Sequence, residues 1–381
     1  MSIDLPAIQS WLFDEALPLW AGAGIDRERG GFVEQLSLSG RPAPGPMRRL
    51  RVQARQMYVY CHAMELGWAG PAREAVRQGC AFMTGRYWHP DGGWIFSVGP
   101  GGEPVDETRE TYEQAFALYA LAWVHRATGE RDALRWIERT VDFLDRRLAD
   151  PDGGGFHEAL PDKLPRRQNP HMHMLEAMLA LYTATGEDRY MARARALVEL
   201  FRRRFLDSTT GTLGEFFDAR WRPAAGVDGQ RVEPGHHYEW VWLLAWYGRL
   251  SGEDVSNEAV QLYRFAEKHG TDPDDGLAYD GVLRDGTVHD DNKRLWVQTE
   301  ALKAQIARWE LAGDTLARDR AERLLASLFE RYLSAGPGCW QDHLRRDGTG
   351  FARYAPASSF YHVFLALSEV MRVFGEPAQV C

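Results

Sequence analysis

The chain has 381 residues, of which 45% are hydrophobic and 26% charged, the composition of an ordinary globular protein. A formal net charge of −9 without a long basic run argues against nucleic acid as a partner. No apolar stretch approaches the roughly 18 residues of a membrane span, and the first residues lack the basic start and apolar centre of a signal peptide, so we expect a cytoplasmic protein without a membrane partner.

Twelve segments repeat their apolar residues at spacings of three and four, which predicts twelve helices. In chain order we expect them at about residues 4–20, 48–67, 71–88, 108–128, 130–149, 169–185, 188–206, 234–251, 256–270, 290–312, 314–334 and 355–374. Tight turns join four of the pairs, because a glycine that ends one helix is followed at once by the next helix. These glycines are Gly129, Gly186, Gly252 and Gly313.

A glycine-rich signal separates the helix pairs and returns six times, about every 60 residues. Its six forms are Arg29-Gly-Gly-Phe32, Asp91-Gly-Gly-Trp94, Gly153-Gly-Gly-Phe156, Gly211-Thr-Leu-Gly214, Asp275-Gly-Leu277 and Gly338-Cys-Trp340. Short β-prone segments follow several of them, such as Trp94-Ile-Phe-Ser-Val98, and these predict short hairpins or extended loops.

Six helical hairpins of this size close naturally into a ring, so we predict an all-α fold: an (α/α)6 barrel of six inner and six outer helices, forming one domain over residues 1–381. An open solenoid is the alternative, but the atypical end caps that it needs are not evident. In a barrel the six long loops lie on one face and build one cleft. The chemistry is then expected in the first turns of the second, fourth, sixth, eighth, tenth and twelfth helices.

The eighth helix opens with Glu233-Pro-Gly-His-His-Tyr-Glu-Trp240. His236 and Glu239 are three residues apart and share a helix face, whereas His237 points about a quarter-turn away. A histidine beside a carboxylate is a candidate acid or base with a pKa near neutrality. Two ordinary histidines at a helix end are the alternative.

The sixth helix begins with Asn169-Pro-His-Met-His173. Asn169 and His173 share a face, which Glu176 continues, and His171 points elsewhere. Because positions i and i+2 project about 200° apart on a helix, the two histidines cannot share a metal. We expect His171 to be a structural histidine at a loop end.

Three more inner helices carry candidates. Arg55 lies among apolar neighbours in the second helix, so it either forms an ion pair or faces a ligand. In the fourth helix, Tyr112 could form a wall of the cleft. In the tenth helix, Trp296 could stack on a sugar ring that Gln298 or Glu300 would hydrogen-bond.

His362 lies in the apolar twelfth helix, where a lone histidine is usually a core residue. Here it joins His173 and His236, and three histidines directed at one cavity from three helices are hard to explain as core.

Together these motifs resemble those of the N-acylglucosamine 2-epimerase superfamily of sugar epimerases and isomerases, over essentially the whole chain. The motifs are Gln53-Ala-Arg55, Asn169-Pro-His-Met-His173-Met-Leu-Glu176, Pro234-Gly-His236-His-Tyr-Glu239-Trp240, Trp296-Val-Gln-Thr-Glu300 and His362. The resemblance implies an (α/α)6 barrel, in agreement with the twelve predicted helices. Several members carry two adjacent tryptophans before the Gln-x-Glu, whereas the first of these positions here is Leu295.

The resemblance also implies roles. His236 corresponds to the family's catalytic histidine and His362 to its partner on the last helix. Residues that bind the sugar oxygens or polarise the carbonyl are matched by Arg55, Asn169, His173 and Glu239, and a tryptophan that packs on the sugar is matched by Trp296.

These residues suit proton transfer at a sugar carbonyl. A base that removes the C2 proton of an open-chain aldose forms an enediol; return of the proton to C1 gives a ketose, and return to the opposite face of C2 gives the 2-epimer. We expect an isomerase of D-mannose and D-fructose, with the first proton transfer at His236 and the second at His362. Arg55 and His173 would stabilise the oxyanion, and Glu239 would orient His236 or a hydroxyl.

Two other functions remain open. One is a 2-epimerase acting on mannose, an N-acylhexosamine or a disaccharide. The other is a glycoside hydrolase on the same barrel, which needs two carboxylates from among Asp106, Glu239, Asp290 and Asp291, although the last two would also suit a helix N-terminus. A phosphorylated or sulfonated sugar could meet the arginines at positions 48, 49, 51, 166 and 167.

No pattern requires a cofactor or a metal, and the expected partner is a small-molecule sugar bound by a monomer or a homodimer. The four cysteines lie far apart without a C-x-x-C motif, which predicts reduced thiols instead of disulfides or a zinc site. They are Cys61, Cys80, Cys339 and Cys381.

Overall fold

The computed structural model describes residues 3–43 and 45–375, and twelve helices lie within them. Eight are α-helical throughout: α2 (Leu50–Glu65), α3 (Ala72–Arg86), α4 (Thr111–Thr128), α6 (Asn169–Thr185), α8 (Pro234–Ser251), α9 (Ser256–His269), α10 (Leu295–Ala312) and α12 (Ala357–Phe374). The other four contain a π-helical stretch: α1 (Leu5–Ser10, π-helical Trp11–Ala16, Leu17–Ala23), α5 (Arg131–Phe143, then Leu144–Leu148), α7 (Asp188–Leu200, then Phe201–Phe205) and α11 (Thr315–Ser327, then Leu328–Tyr332).

The even-numbered helices form an inner ring and the odd-numbered helices pack outside it. Each inner helix contacts the next inner helix in the chain, and α12 contacts α2, so the ring closes as the predicted (α/α)6 barrel. Inner helices are buried almost all round; in α10 nearly every residue of the first four turns is buried. Among the described residues, no helix combines the length and apolarity that a membrane crossing needs.

Glycines end the inner helices α4, α6, α8 and α10, as predicted. Gly129, Gly186, Gly252 and Gly313 all have a positive φ, between 63° and 73°. This left-handed conformation favours glycine and turns the chain directly into the next outer helix.

Sixteen short strands lie on the opposite, loop face of the described barrel. They are β1 (Gln35–Ser37), β2 (Arg48–Arg49), β3 (Ser97–Val98), β4 (Pro104–Asp106), β5 (Arg109–Glu110), β6 (Ala159–Leu160), β7 (Arg166–Arg167), β8 (Leu206–Asp207), β9 (Thr212–Leu213), β10 (Phe216–Phe217), β11 (Arg231–Val232), β12 (Gly281–Leu283), β13 (Val288–Asp290), β14 (Lys293–Arg294), β15 (His343–Leu344) and β16 (Tyr354–Pro356).

The strands link the six loops into a closed belt. The strand before each inner helix pairs antiparallel with a strand of the following loop: β2 with β3, β5 with β6, β7 with β10, β11 with β12, β14 with β15, and finally β16 with β1 of the first loop. The predicted helix starts at residues 48, 108 and 290 are therefore wrong. Those residues are strand or loop, because their backbone groups bond across to a neighbouring loop.

In each of five inner helices, one residue near the start forms hydrogen bonds with the backbone of the glycine-rich loop above that helix. Gln114 accepts from the backbone N–H of Trp94 and donates to its carbonyl, both at 2.8 Å. Gln53 binds Phe32 and Gln298 binds Ala278 in the same way. At the other two positions a histidine Nε2 accepts instead, from Phe156 to His171 at 2.9 Å and from Leu213 to His237 at 3.0 Å. His171 is thus the structural loop-end histidine that we predicted.

The first and last segments of the chain meet at one seam. Ala357 donates its backbone N–H to the carbonyl of Glu34 at 2.8 Å, and Gln56 donates to the carbonyl of Ala357 at 2.8 Å. Trp20 stacks on Trp340 with ring centroids 4.9 Å apart. Three of the four cysteines, Cys61, Cys80 and Cys339, are free thiols, and Cys381 lies outside the described residues.

Candidate active site

A cavity of about 490 Å³ opens at the N-terminal ends of the inner helices, on the loop face. The eight residues expected to carry catalysis or bind the sugar in the isomerase prediction all line it: Arg55, Tyr112, Asn169, His173, His236, Glu239, Trp296 and His362. They come from six different inner helices, α2 to α12, so only the closed ring brings them together.

His236 forms a pair with Glu215, a residue of the loop between β9 and β10. Its Nδ1 donates to Oε2 of Glu215 at 2.9 Å, and a second carboxylate, that of Glu233, lies 3.8 Å from the same nitrogen. Burial alone would lower the pKa of His236, but the charges of Glu215 and Glu233 outweigh burial and raise this pKa to about 9. His236 is therefore an imidazolium at neutral pH, with Nε2 free of hydrogen bonds to the described residues.

Glu215 belongs to a position that repeats around the ring. In four loops an acidic residue lies two positions after the loop residue that the inner helix binds. Its carboxylate accepts a hydrogen bond from a backbone N–H just before the next inner helix: Glu34 from Arg49, Glu158 from Arg167, Glu215 from Glu233, and Asp280 from Arg294. In the other three loops the acid also pairs with that arginine side chain. Among these four repeats, only in that of Glu215 is the residue before the inner helix a glutamate, Glu233. There the loop acid, Glu215, binds the side chain of a histidine instead of an arginine.

His362 has a different electrostatic environment. Its Nδ1 donates to Oε1 of Glu300 at 2.7 Å, and the other carboxylate oxygen of Glu300 lies 2.7 Å from Nζ of Lys303. Burial lowers the pKa of His362 well below its ordinary value, and the positive charges of Arg55 and Lys303 lower it further. His362 is therefore neutral, with Nε2 as its free nitrogen.

The third histidine, His173, is anchored to a carboxyl group below it. Its Nδ1 lies 3.0 Å from Oε2 of Glu176, whose other oxygen accepts the hydroxyl of Tyr361. Burial lowers the pKa of His173 well below its ordinary value and raises that of Glu176 to about 7. His173 is consequently a neutral hydrogen-bonding group.

Glu239 presents a carboxyl group to the cavity instead of orienting His236, whose Nδ1 is occupied by Glu215. Its Oε1 is buried without a hydrogen-bond partner and lies 3.9 Å from Nδ1 of His173. Burial first, and then the charge of Glu300, raise the pKa of Glu239 well above its ordinary value. The raised pKa favours the protonated carboxyl, which can donate a hydrogen bond.

Arg55 forms no ion pair with any described residue, so the salt-bridge alternative for it is wrong. Its guanidinium donates to the hydroxyl of Tyr112 at 3.0 Å and to the carbonyl of Ser358 at 3.3 Å, and it lies over the rings of Phe116 and Tyr361. A cation held by neutral partners in a cavity wall suits a developing negative charge. Asn169 adds a buried Oδ1 without a partner.

Trp296 separates the two histidines that have carboxylate partners. Its ring centroid is 5.3 Å from that of His236 and 5.6 Å from that of His362. The half-buried indole thus contacts both histidines at the cavity, and its face can pack on a sugar ring.

Several other expectations are corrected. Gln298 cannot bind a sugar, because it is fully buried and holds the loop at Ala278; Glu300 lies behind His362. Of the hydrolase candidates only Glu239 lines the cavity. Asp290 and Asp291 are exposed, and they precede β14 instead of starting a helix.

The arginines considered for an anionic sugar all have carboxylate partners. The pairs are Arg48 with Asp26, Arg49 with Glu34, Arg51 with Glu113, Arg166 with Asp150 and Arg167 with Glu158. Only Arg49 of this set lines the cavity.

Two side-chain clusters bring three metal-type ligand atoms within 4.8 Å: Glu215, Glu233 and His236, and Glu239, Glu300 and His362. In each cluster the histidine Nδ1 already donates to a carboxylate. A cation is also present beside each, Arg294 at 3.7 Å from Glu233 and Lys303 at 2.7 Å from Glu300. The positive charge that a metal would supply is therefore already provided by side chains.

Two residues that support the cavity histidines from behind, Glu215 and Lys303, were not expected from the sequence. Glu215 could have been found by aligning the six loops, since an acid recurs two positions after the loop residue that the inner helix binds. Nothing in the sequence around Lys303 indicates its role, because its ammonium becomes important only where α10 meets α8 and α12.

Comparison with known proteins gives one consistent result. The profile of the family described as N-acylglucosamine 2-epimerase (GlcNAc 2-epimerase) matches residues 30–366. The chain is 38% identical to the mannose-6-phosphate isomerase of Rhizobium meliloti (97% of this chain, 98% of that protein) and 27% identical to the D-mannose isomerase of Marinomonas mediterranea (96% and 98%). The solved structure of cellobiose 2-epimerase from Spirochaeta thermophila superposes with a TM-score of 0.84 at 28% identity, covering 97% of this chain and 96% of that one.

Proposed function

The chain belongs to the N-acylglucosamine 2-epimerase family and is a sugar isomerase or epimerase, and we propose that its reaction is the interconversion of D-mannose and D-fructose through an enediol. The observation that carries this proposal is a charge difference between two histidines in one cavity. His236 bears a proton and His362 a free lone pair, so an acid and a base are present together at neutral pH.

The proton transfers follow from these charges, and they reverse the order expected from the sequence. Nε2 of neutral His362 removes the proton from C2 of the open-chain aldose and returns it to C1. His236, as the acid, delivers its Nε2 proton to O1 and then takes up the proton released from the 2-hydroxyl, so that the carbonyl moves from C1 to C2 and His236 regains its charge. No atom or charge is gained or lost over the cycle.

The enediol intermediate carries negative charge on oxygen, and the cavity offers donors for it. Arg55 supplies a cation without a carboxylate partner among the described residues, and Glu239 supplies a carboxyl group whose raised pKa favours its protonated, hydrogen-bond-donating form. Such preorganised donors are worth about two to three orders of magnitude in turnover each. Trp296 would hold the sugar face between the two histidines.

A free sugar suits the rim of the cavity better than a phosphorylated one. The basic rim residues, Arg49 and Arg294, have carboxylate partners at 2.7 Å and 3.1 Å, and the carboxylates of Glu233 and Asp342 also line the cavity. A phosphate dianion would enter beside these carboxylates without a free cation to meet it there. The similarity to a D-mannose isomerase supports the same choice, and the similarity to a mannose-6-phosphate isomerase makes the phosphorylated sugar the comparison to run.

The test is proton NMR of the purified protein with D-mannose in D2O. Fructose with deuterium at C1 is the expected product. D-mannose 6-phosphate, run in parallel at the same concentration, should turn over more slowly than D-mannose. Faster turnover of the phosphorylated sugar would replace our substrate assignment. No product and no exchange with either sugar would refute the proposed reaction.

A 2-epimerase is the second candidate, favoured by the superposition on cellobiose 2-epimerase. Epimerisation would need His236 to lose its proton and to act on the opposite face of C2. Glucose labelled with deuterium at C2, formed from mannose in the same experiment, would support this candidate over the isomerase.

A further inference from the structure

Lys303 is a fully buried lysine of the inner helix α10 that lies behind the cavity. It lies one helical turn below Glu300 on α10, its side chain is fully buried, and it does not line the cavity, so it cannot touch a sugar. Its ammonium lies 2.7 Å from Glu300 and 4.1 Å above the ring of Trp242. A buried charge is costly, and it persists only where partners compensate it.

Each of the two catalytic histidines has a carboxylate as its first partner, but the groups that contact these two carboxylates differ in charge. His236 and His362 each donate Nδ1–H to a carboxylate, at 2.9 Å and 2.7 Å. Within the described part of the chain, the further hydrogen-bond donors to Glu215 are uncharged: the side-chain amide of Gln168 at 3.1 Å and the backbone N–H of Glu233 at 3.3 Å. Beyond Glu300 is the ammonium of Lys303.

We propose that Lys303 is a positioning residue of the sugar reaction, which neutralises Glu300 so that this carboxylate orients His362 without charging it. The inference rests on the proposed function, because it concerns the base of that reaction. Glu300 then fixes the tautomer with the proton on Nδ1, and the lone pair on Nε2 stays available to the cavity. Without the ammonium, the negative charge of Glu300 would act on His362 without compensation, as those of Glu215 and Glu233 act on His236, and the pKa of His362 would rise.

Other charged and titratable groups surround His362, and they do not replace Lys303. They are Arg55 from α2, His173 and Glu176 from α6, and His236 and Glu239 from α8. The cations among them face the open cavity, where a sugar or water can screen them. Only Lys303 contacts the carboxylate that binds His362 and lies away from the cavity.

The first measurement uses the unmodified protein and does not depend on any sugar. With ¹⁵N-labelled histidine, and the His362 signals identified by their loss in His362→Gln, NMR reports the protonation of both ring nitrogens. We expect His362 neutral with the proton on Nδ1 at pH 7, and His236 doubly protonated in the same sample. An imidazolium at His362 would overturn the inference.

The second measurement is the pH profile of kcat for Lys303→Met and Lys303→Arg. In Lys303→Met the acidic limb should move up by at least one pH unit, so that turnover at a given pH on this limb falls about tenfold or more while turnover at high pH recovers. The arginine variant keeps the charge and should keep the limb. An unmoved limb in Lys303→Met, with His362 still neutral by NMR, would overturn the inference.

Lys293→Met is the matched control. Lys293 is equally buried and has carboxylate partners, Asp272 at 2.8 Å and Asp275 at 2.9 Å, but it lies outside the cavity. Its loss should lower the unfolding temperature and leave the pH limb in place; a limb that moved equally in this variant would assign the effect to general destabilisation. If the wild type does not isomerise mannose, the proposed function fails, and the NMR measurement still decides the role of Lys303.

Discussion

Replacement of Glu215 by glutamine tests whether one loop carboxylate determines the charge of His236. Glutamine has nearly the same shape and keeps a hydrogen-bonding oxygen, but it removes the negative charge 2.9 Å from Nδ1. The pKa of His236 is about 9 against an ordinary value near 6.5, a difference that corresponds to about 3 kcal/mol in favour of the imidazolium. Because burial lowers this pKa and Glu215 raises it more than Glu233 does, loss of the Glu215 charge should bring the pKa of His236 back towards 6.5.

The expected result is a shift of the alkaline limb of kcat/KM. With a pKa of about 9, roughly 90% of His236 is protonated at pH 8; with a pKa near 6.5, roughly 3% is protonated. Turnover of Glu215→Gln at pH 8 should therefore be about thirtyfold lower than wild type, and the loss should shrink below pH 6. A folded variant whose alkaline limb coincides with that of the wild type would refute the reasoning.

The same pair predicts how stability depends on pH. Since folding raises the pKa of His236, its contribution to the unfolding free energy is complete below about pH 6.5 and is lost as the pH rises through about 9. Urea unfolding at pH 6.5 and 9.5 should show this decline in the wild type and a smaller one in Glu215→Gln. Glu158→Gln changes the equivalent acid of another loop, where the partner is Arg167, and should retain the wild-type dependence of stability on pH.

Four further substitutions distinguish residues needed for turnover from residues needed for folding. Arg55→Lys keeps the charge but not the guanidinium geometry, so steady-state kinetics should show a fall in turnover of about a hundredfold, with little change in unfolding because Arg55 has no ion pair among the described residues. Gln298→Leu leaves the buried backbone groups of Ala278 without partners and should cost about 2–4 kcal/mol in urea unfolding; an unchanged midpoint would contradict the loop-holding role. His236→Ala should lower turnover by orders of magnitude, whereas His237→Ala should mainly lower the unfolding temperature, and equal kinetic losses would contradict the distinction between them.

The barrel and the cavity residues were predictable because their signals are local. The spacing of apolar residues, the glycines at helix ends and the sixfold return of the loops together determine twelve helices and which of them are inner. Once inner helices start after the long loops, polar residues in their first turns, such as His173 and His362, must lie near one another.

The remainder depends on contacts between loops that are distant in sequence. The strands before the inner helices pair with the following loop, which is why Asp290 and Asp291 are not at a helix start. His236 and His237 are neighbours of one type, yet one faces the cavity and the other holds Leu213, and their helical phase becomes decisive only relative to the ring. The charge of His236 likewise depends on Glu215, which is 21 residues away in the chain.

The seam between the two ends of the chain also has a consequence for biosynthesis. The carbonyl acceptors of Arg55 and Gln56, in Ser358 and Ala357, are 303 and 301 residues further along the chain. At about 5–20 residues per second, the ribosome needs roughly 15–60 s to supply them after α2 has emerged. During that time the apolar faces of α1 and α2, including Trp20, lack their final partner. We therefore expect the nascent chain to need chaperone protection until its last helix is released, and the enzyme to gain activity only at that moment.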